Sequence, residues 1–98
     1  TIEHINNVIK ENLAVMIYFS APMCNVCHSL KPKLMEGIDA NFKEFKVEDV
    51  DVSVEQEVSA HFGVFAIPTV LVFLDGQEFL RKSRHMSVTE VISEIKRP

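Results

Sequence analysis

The chain has 98 residues, 47% of them hydrophobic, and a net charge of −4, which bounds it to a single domain, 1–98, built around one hydrophobic core. Acids and bases alternate along it, so no basic stripe is available to neutralise nucleic-acid phosphates, and nucleic-acid partners are excluded. The longest apolar run, Leu13 to Phe19, is seven residues, far below the roughly 20 that cross a bilayer; with no signal-peptide pattern at the start, the expectation is a cytoplasmic monomer without membrane partners.

Residues 2 to 11 carry Ile2, Ile5, Val8 and Ile9 at helical spacing. Leu13 to Phe19 is continuously apolar and β-rich, which predicts a strand buried on both faces. Ser20-Ala21-Pro22 breaks it, and a second helix is predicted from about Cys24, with Cys27, Leu30, Leu34 and Ile38 on one stripe and Pro32 as an internal kink. Phe45 and Val47 alternate with charged residues as a second strand. Ser53-Val54-Glu55-Gln56 reads as a capping box for a third helix, with Val54, Val58 and Phe62 inward and Gly63 as its stop. Thr69 to Leu74 is a third strand, Asp75-Gly76 a tight turn, and Glu78 to Lys82 the returning strand. Ser87-Val88-Thr89-Glu90 is a second capping box, opening a last helix with Val88, Val91, Ile92 and Ile95 inward. The order α-β-α-β-α-β-β-α predicts an α/β fold: a mixed four-stranded sheet sandwiched between helices, its first two strands parallel and its last two a hairpin. The basic run Arg81-Lys82-Ser83-Arg84-His85 reads as a charged sheet edge that discourages aggregation.

The only cysteines, Cys24 and Cys27, are three positions apart. A bridge between them closes too short a loop to be a useful staple, so their chemistry must be the reason for them. At a helix N-terminus, unpaired backbone N–H groups and the positive dipole end favour the Cys24 thiolate, while Cys27 lies one turn deeper on the core stripe. That arrangement assigns Cys24 as nucleophile and Cys27 as resolving thiol, with a redox-active Cys24–Cys27 disulfide and no other cofactor.

Two segments carry a family resemblance. Met16 to Pro32, MIYFSAPMCNVCHSLKP, resembles the active-site segment of the thioredoxin family, and Ala66-Ile67-Pro68-Thr69 followed by Phe73 and Gly76 resembles its cis-proline loop and hairpin. The resemblance implies a thioredoxin-like fold, here lacking the usual first strand before Thr1. It also implies disulfide-containing protein substrates and an electron donor of the thioredoxin-reductase type. By the same resemblance, Met23, Asn25, Val26, Ile67, Pro68 and Arg84 form the substrate-binding surface, Ile67 offering its backbone to an extended segment, and Tyr18 and Pro32 are structural neighbours of the site.

The sequence departs from the family pattern at several places. Asn25 and Val26 replace Gly-Pro between the cysteines, and neither carries a positive charge, which predicts a moderate or reducing couple. Tyr18 stands where the family often buries an aspartate, and a phenol is a poor base at neutral pH. Ser20 and Met23 replace tryptophans, and Arg84 replaces a glycine.

Other chemistries compete for the motif. Cys24 to His28 also spells the haem-attachment signature, which needs an axial ligand such as Met35 or Met86 and a large apolar pocket. Zinc would draw on Cys24, Cys27 and His4, His28, His61 or His85, but no second ligand pair exists in the sequence, and no metal is expected. On this reading His28 faces solvent and His61 caps helix-end carbonyls. The alternative of another class is a thioredoxin-fold binding module that holds a partner with little turnover.

Overall fold

A computed structural model describes residues 1–96; positions 97–98 of the expected domain lie outside the described residues. The chain runs α1 (Ile2–Glu11), β1 (Ala14–Ser20), α2 (Asn25–Asn41), β2 (Lys46–Asp51), α3 (Gln56–His61), β3 (Thr69–Leu74), β4 (Gln77–Ser83) and α4 (Val88–Lys96). The four-stranded sheet has the order β2-β1-β3-β4, with β1–β2 parallel and both β1–β3 and β3–β4 antiparallel. This is the mixed four-stranded α/β sheet that the element order predicts, and the thioredoxin-like fold that the resemblance implies.

Period-two alternation divides the central strands between two cores. Val15, Ile17 and Phe19 of β1, with Leu71 and Phe73 of β3, pack with Ile5, Val8 and Ile9 of α1 and Val58 of α3. Met16 and Tyr18 of β1, with Val70 and Val72 of β3, pack with Cys27, Leu34 and Ile38 of α2 and Val91, Ile92 and Ile95 of α4. Val15 to Phe19 are entirely buried, which accounts for their unbroken apolar sequence. The hairpin turn needs positive φ at both central residues, and Asp75 (53°) and Gly76 (79°) supply it. The basic run does lie on an edge, since β4 pairs with β3 alone.

Three local expectations are corrected. Leu13 is 73% exposed and precedes β1 instead of belonging to it. The third helix begins at Gln56, with Glu55 as an N-cap whose side chain makes no capping bond and instead accepts from the Thr1 ammonium at 3.2 Å. The Ser53 hydroxyl, expected to cap that helix, donates to Asp51 Oδ1 at 2.6 Å, and the Ser53 backbone N–H donates to the same oxygen at 2.9 Å. The nearer carboxylate wins the serine for a local turn, and Val54 is left 77% exposed. His61 caps no carbonyl; its ring stands edge-on to Phe62, with centroids 4.8 Å apart. The second box is observed: Glu90 N–H donates to Ser87 Oγ at 3.0 Å.

Candidate active site

The end of β1, the start of α2 and the loop before β3 meet at one end of the sheet. Ala21 and Pro22 lead out of β1 through a turn in which the Cys24 N–H donates to the Ala21 carbonyl at 3.1 Å. Cys24 then takes extended angles (φ −92°, ψ 97°) as the N-cap of α2. Its carbonyl receives the helix's first bond, from the His28 N–H at 3.2 Å, and its Sγ accepts the Cys27 N–H at 3.2 Å. The sulfur thus occupies the place where a serine or aspartate oxygen usually caps a helix. A disulfide joins Cys24 to Cys27, whose Cα atoms are 5.3 Å apart. Cys24 remains half-buried, whereas Cys27 is 1% exposed and packed among Leu34, Tyr18 and the β3 valines.

The two sides of this turn are tied from outside. His28 Nε2 lies 2.9 Å from the Pro22 carbonyl, and because a carbonyl only accepts, that nitrogen carries the proton. The imidazole thereby closes the bend between β1 and α2, while His28 stays exposed to solvent as expected. Tyr18 is completely buried and its hydroxyl donates to the Cys27 carbonyl at 2.7 Å. Burial, assisted by the nearby Asp49 charge, pushes its phenol up to about 12. Its proton is committed to a carbonyl, so Tyr18 is no proton acceptor at neutral pH.

The opposing loop carries a cis Ile67–Pro68 bond. Thr69, itself buried, donates its hydroxyl to the Ala66 carbonyl at 2.6 Å, and its Oγ1 lies 2.9 Å from Ser83 Oγ. The Arg84 N–H donates to the Pro68 carbonyl at 2.7 Å. A groove of about 430 Å³ results, lined by Cys24, Asn25, Val26, Ile67, Pro68, Arg84 and His85. Sequence reasoning placed all of these at the site except His85, which it named only in the basic run and among the zinc candidates. Met23, 92% exposed, stands beside the disulfide but is absent from the groove lining. Pro32 is also outside the groove, within α2 and two turns from the sulfurs.

Met35 and Met86 pack against the core cluster that contains Cys27. Among the described residues, no group of three or more His, Cys, Asp or Glu side chains is placed to hold a metal ion.

The Thioredoxin family model matches residues 2–97. The chain belongs to the thioredoxin family. It is 37% identical over 93 residues to the thioredoxin-like protein YdfQ of Bacillus subtilis, a match covering 95% of this chain and 82% of that one. It is 30% identical over 70 residues to thioredoxin 1 of Synechococcus elongatus, covering 71% and 65% respectively. Its structure is similar to oxidised mitochondrial thioredoxin 3 of Saccharomyces cerevisiae, with a TM-score of 0.86 and 26% identity over 98% of this chain and 89% of that one. Family membership and a Cys-x-x-Cys pair at bonding distance support thiol–disulfide oxidoreductase activity. Among the described residues, no helix is long and apolar enough to cross a membrane.

Proposed function

We propose that this thioredoxin-family protein reduces protein disulfides by dithiol exchange, with Cys24 as the nucleophile and Cys27 as the resolving thiol. The observation that carries this reading is the capping geometry: Cys24 Sγ accepts the Cys27 N–H at the start of α2 while Cys27 lies buried beneath it. Once the pair is reduced, the same N–H and the helix dipole stabilise negative charge on Cys24.

The Cys24 thiolate attacks one sulfur of the substrate disulfide. A new S–S bond forms to Cys24, and the other substrate sulfur leaves as a thiolate and takes a proton. Cys27, after losing its own proton, attacks Cys24 Sγ, closes the Cys24–Cys27 bond and expels the second substrate sulfur, which is protonated in turn. Two electrons pass from the pair to the substrate; of the two protons its thiolates take up, one balances that released by Cys27 to water and the other comes from solvent. A flavoenzyme of the thioredoxin-reductase type returns the electrons. Proximity drives the second step, because Cys27 is held against the sulfur that it attacks. Water is the proton acceptor for Cys27, since the Tyr18 phenol stays protonated.

Substrate lies in the groove as an extended segment. Ile67 offers backbone hydrogen bonds of the strand-addition kind, Pro68 places no N–H beside the sulfurs, and Met23, Asn25, Val26 and Arg84 contact the residues on either side of the substrate cysteine. The absence of positive charge on Asn25 and Val26 supports a reducing couple, which suits the cytoplasm, where thiols are kept reduced. The domain acts as a monomer.

Insulin reduction by dithiothreitol tests the reading. The parent protein is expected to accelerate it, and Cys24→Ser to return it to the uncatalysed rate. Equal, uncatalysed rates for both would instead make the chain a binding module.

A further inference from the structure

The basic run that closes β4 divides into two halves with different fates. Arg81 is matched by Glu78, at 2.9 Å, and also donates to the Phe62 and Gly63 carbonyls. Lys82 is matched by Glu94 at 2.7 Å and Glu90 at 3.4 Å. Beyond them, Arg84 and His85 are exposed, and among the described residues neither has a carboxylate within ion-pair distance. These two unmatched residues are the basic members of the groove beside Cys24, and no acidic side chain lines that groove. In a chain of net charge −4, the one surface that receives substrate is locally positive.

The backbone adds a second, independent observation. Arg84 sits at φ +61°, in the left-handed region, where a Cβ is disfavoured relative to glycine. Its N–H is fixed to the Pro68 carbonyl at 2.7 Å, so the side chain starts from a point rigidly attached to the cis-proline loop. A strained position beside a binding groove, filled by a long cation with no internal partner, has no stabilising role within the fold.

We infer that Arg84 is a specificity residue that selects disulfide substrates carrying a carboxylate, Asp or Glu, next to the cysteine that docks in the groove. His85 lines the groove beside it. The inference rests on the proposed function for the chemical step, but the recognition itself is a charge complementarity that binding alone reads out.

The decisive measurement is an NMR titration of the oxidised protein with two short peptides in which alanine replaces cysteine, one with flanking Glu and one with flanking Gln. The Glu peptide is expected to bind about fivefold more tightly at low salt, with the preference closing toward unity at about 500 mM salt. Arg84→Gln and Arg84→Gly should abolish the preference, the glycine variant with no backbone strain to confound it, and Arg84→Lys should keep most of it. Equal affinities in the parent, or an undiminished preference in both neutral variants, overturn the inference. Reduction of the matching disulfide-linked peptides, compared with Cys24→Ser, separates the two claims. A binding preference without reduction sinks the catalytic reading and keeps the recognition; reduction without a binding preference does the reverse.

Discussion

The two faces of the sheet are built from the same two strands yet are put to different uses. On the α1–α3 face, β1 contributes Val15, Ile17 and Phe19, and the buried cluster is hydrocarbon throughout. On the α2–α4 face it contributes Met16 and Tyr18, and the cluster contains a phenol and a cysteine sulfur. The first face packs by shape and dryness, apart from the buried Ser59 hydroxyl of α3, which has no hydrogen-bond partner among the described residues. The second must keep a polar hydroxyl bonded, at 2.7 Å to the Cys27 carbonyl, while presenting a neighbouring sulfur to the surface. Both faces pack an apolar cluster, and on the second the reactive end is held in addition by a few specific hydrogen bonds.

The largest expected effect breaks the hydrocarbon face. Phe19 is completely buried and lies edge-on to Phe62, with ring centroids 6.4 Å apart. Phe19→Ala should cost about 3–5 kcal/mol, read as a lower urea midpoint at unchanged slope. The rate of disulfide reduction per folded molecule should change little, because no atom of the sulfur site is touched. A large loss of rate without loss of stability would mean that the two faces are not separable.

The second effect tests the other face through its phenol, the only tyrosine in a chain without tryptophan. Its folded value is raised to about 12, against about 10 in an unfolded chain. The native state therefore holds this proton more tightly than the unfolded state does. Its contribution is intact below pH 10 and is lost as pH rises from 10 through 12, on the order of 3 kcal/mol in all. Absorbance of tyrosinate should titrate near pH 12 in the folded protein and near pH 10 in denaturant. The alkaline loss attributable to this group should vanish in Tyr18→Phe. That variant should itself lose about 1–3 kcal/mol at neutral pH, from the buried Cys27 carbonyl deprived of its donor.

That both faces are covered was legible in the sequence because an unbroken apolar strand needs packing on each side and helical spacing is a periodic signal, and the cysteine pair was legible because a strand, a proline and a helix start frame it. What escaped depends on choices that no period encodes. Ser53 had a helix to cap and an aspartate two residues back, and the shorter-range partner won. The His28–Pro22 and Arg84–Pro68 contacts exist only after the chain closes on itself. The same holds for the partition of the basic run. Arg81 and Lys82 find carboxylates at i−3 and on α4, whereas Arg84 turns into the left-handed region and faces the groove. From spacing alone, all four basic residues look like one solvated edge.

The smallest expected effect sharpens the comparison at that edge. Hydrogen bonding from Arg81 holds the Glu78 carboxyl below its ordinary value and raises Arg81 above its own. A carboxylate depressed in the folded state stabilises it above the unfolded pKa, so the contribution is present at neutral pH and fades as pH falls through the lowered value. Both side chains are more than a third exposed, so water and salt screen the pair to well under about 1 kcal/mol. Arg81 also donates to the Phe62 and Gly63 carbonyls at the end of α3, at 2.8 and 3.3 Å. Arg81→Gln should therefore cost more at neutral pH than Glu78→Gln, about 1 kcal/mol against a few tenths, since it also strips partners from a helix end. Only the Glu78 part should fade in acid or high salt. Equal costs for the two variants would reduce Arg81 to half of a surface ion pair and remove its tie between β4 and the α1–α3 face.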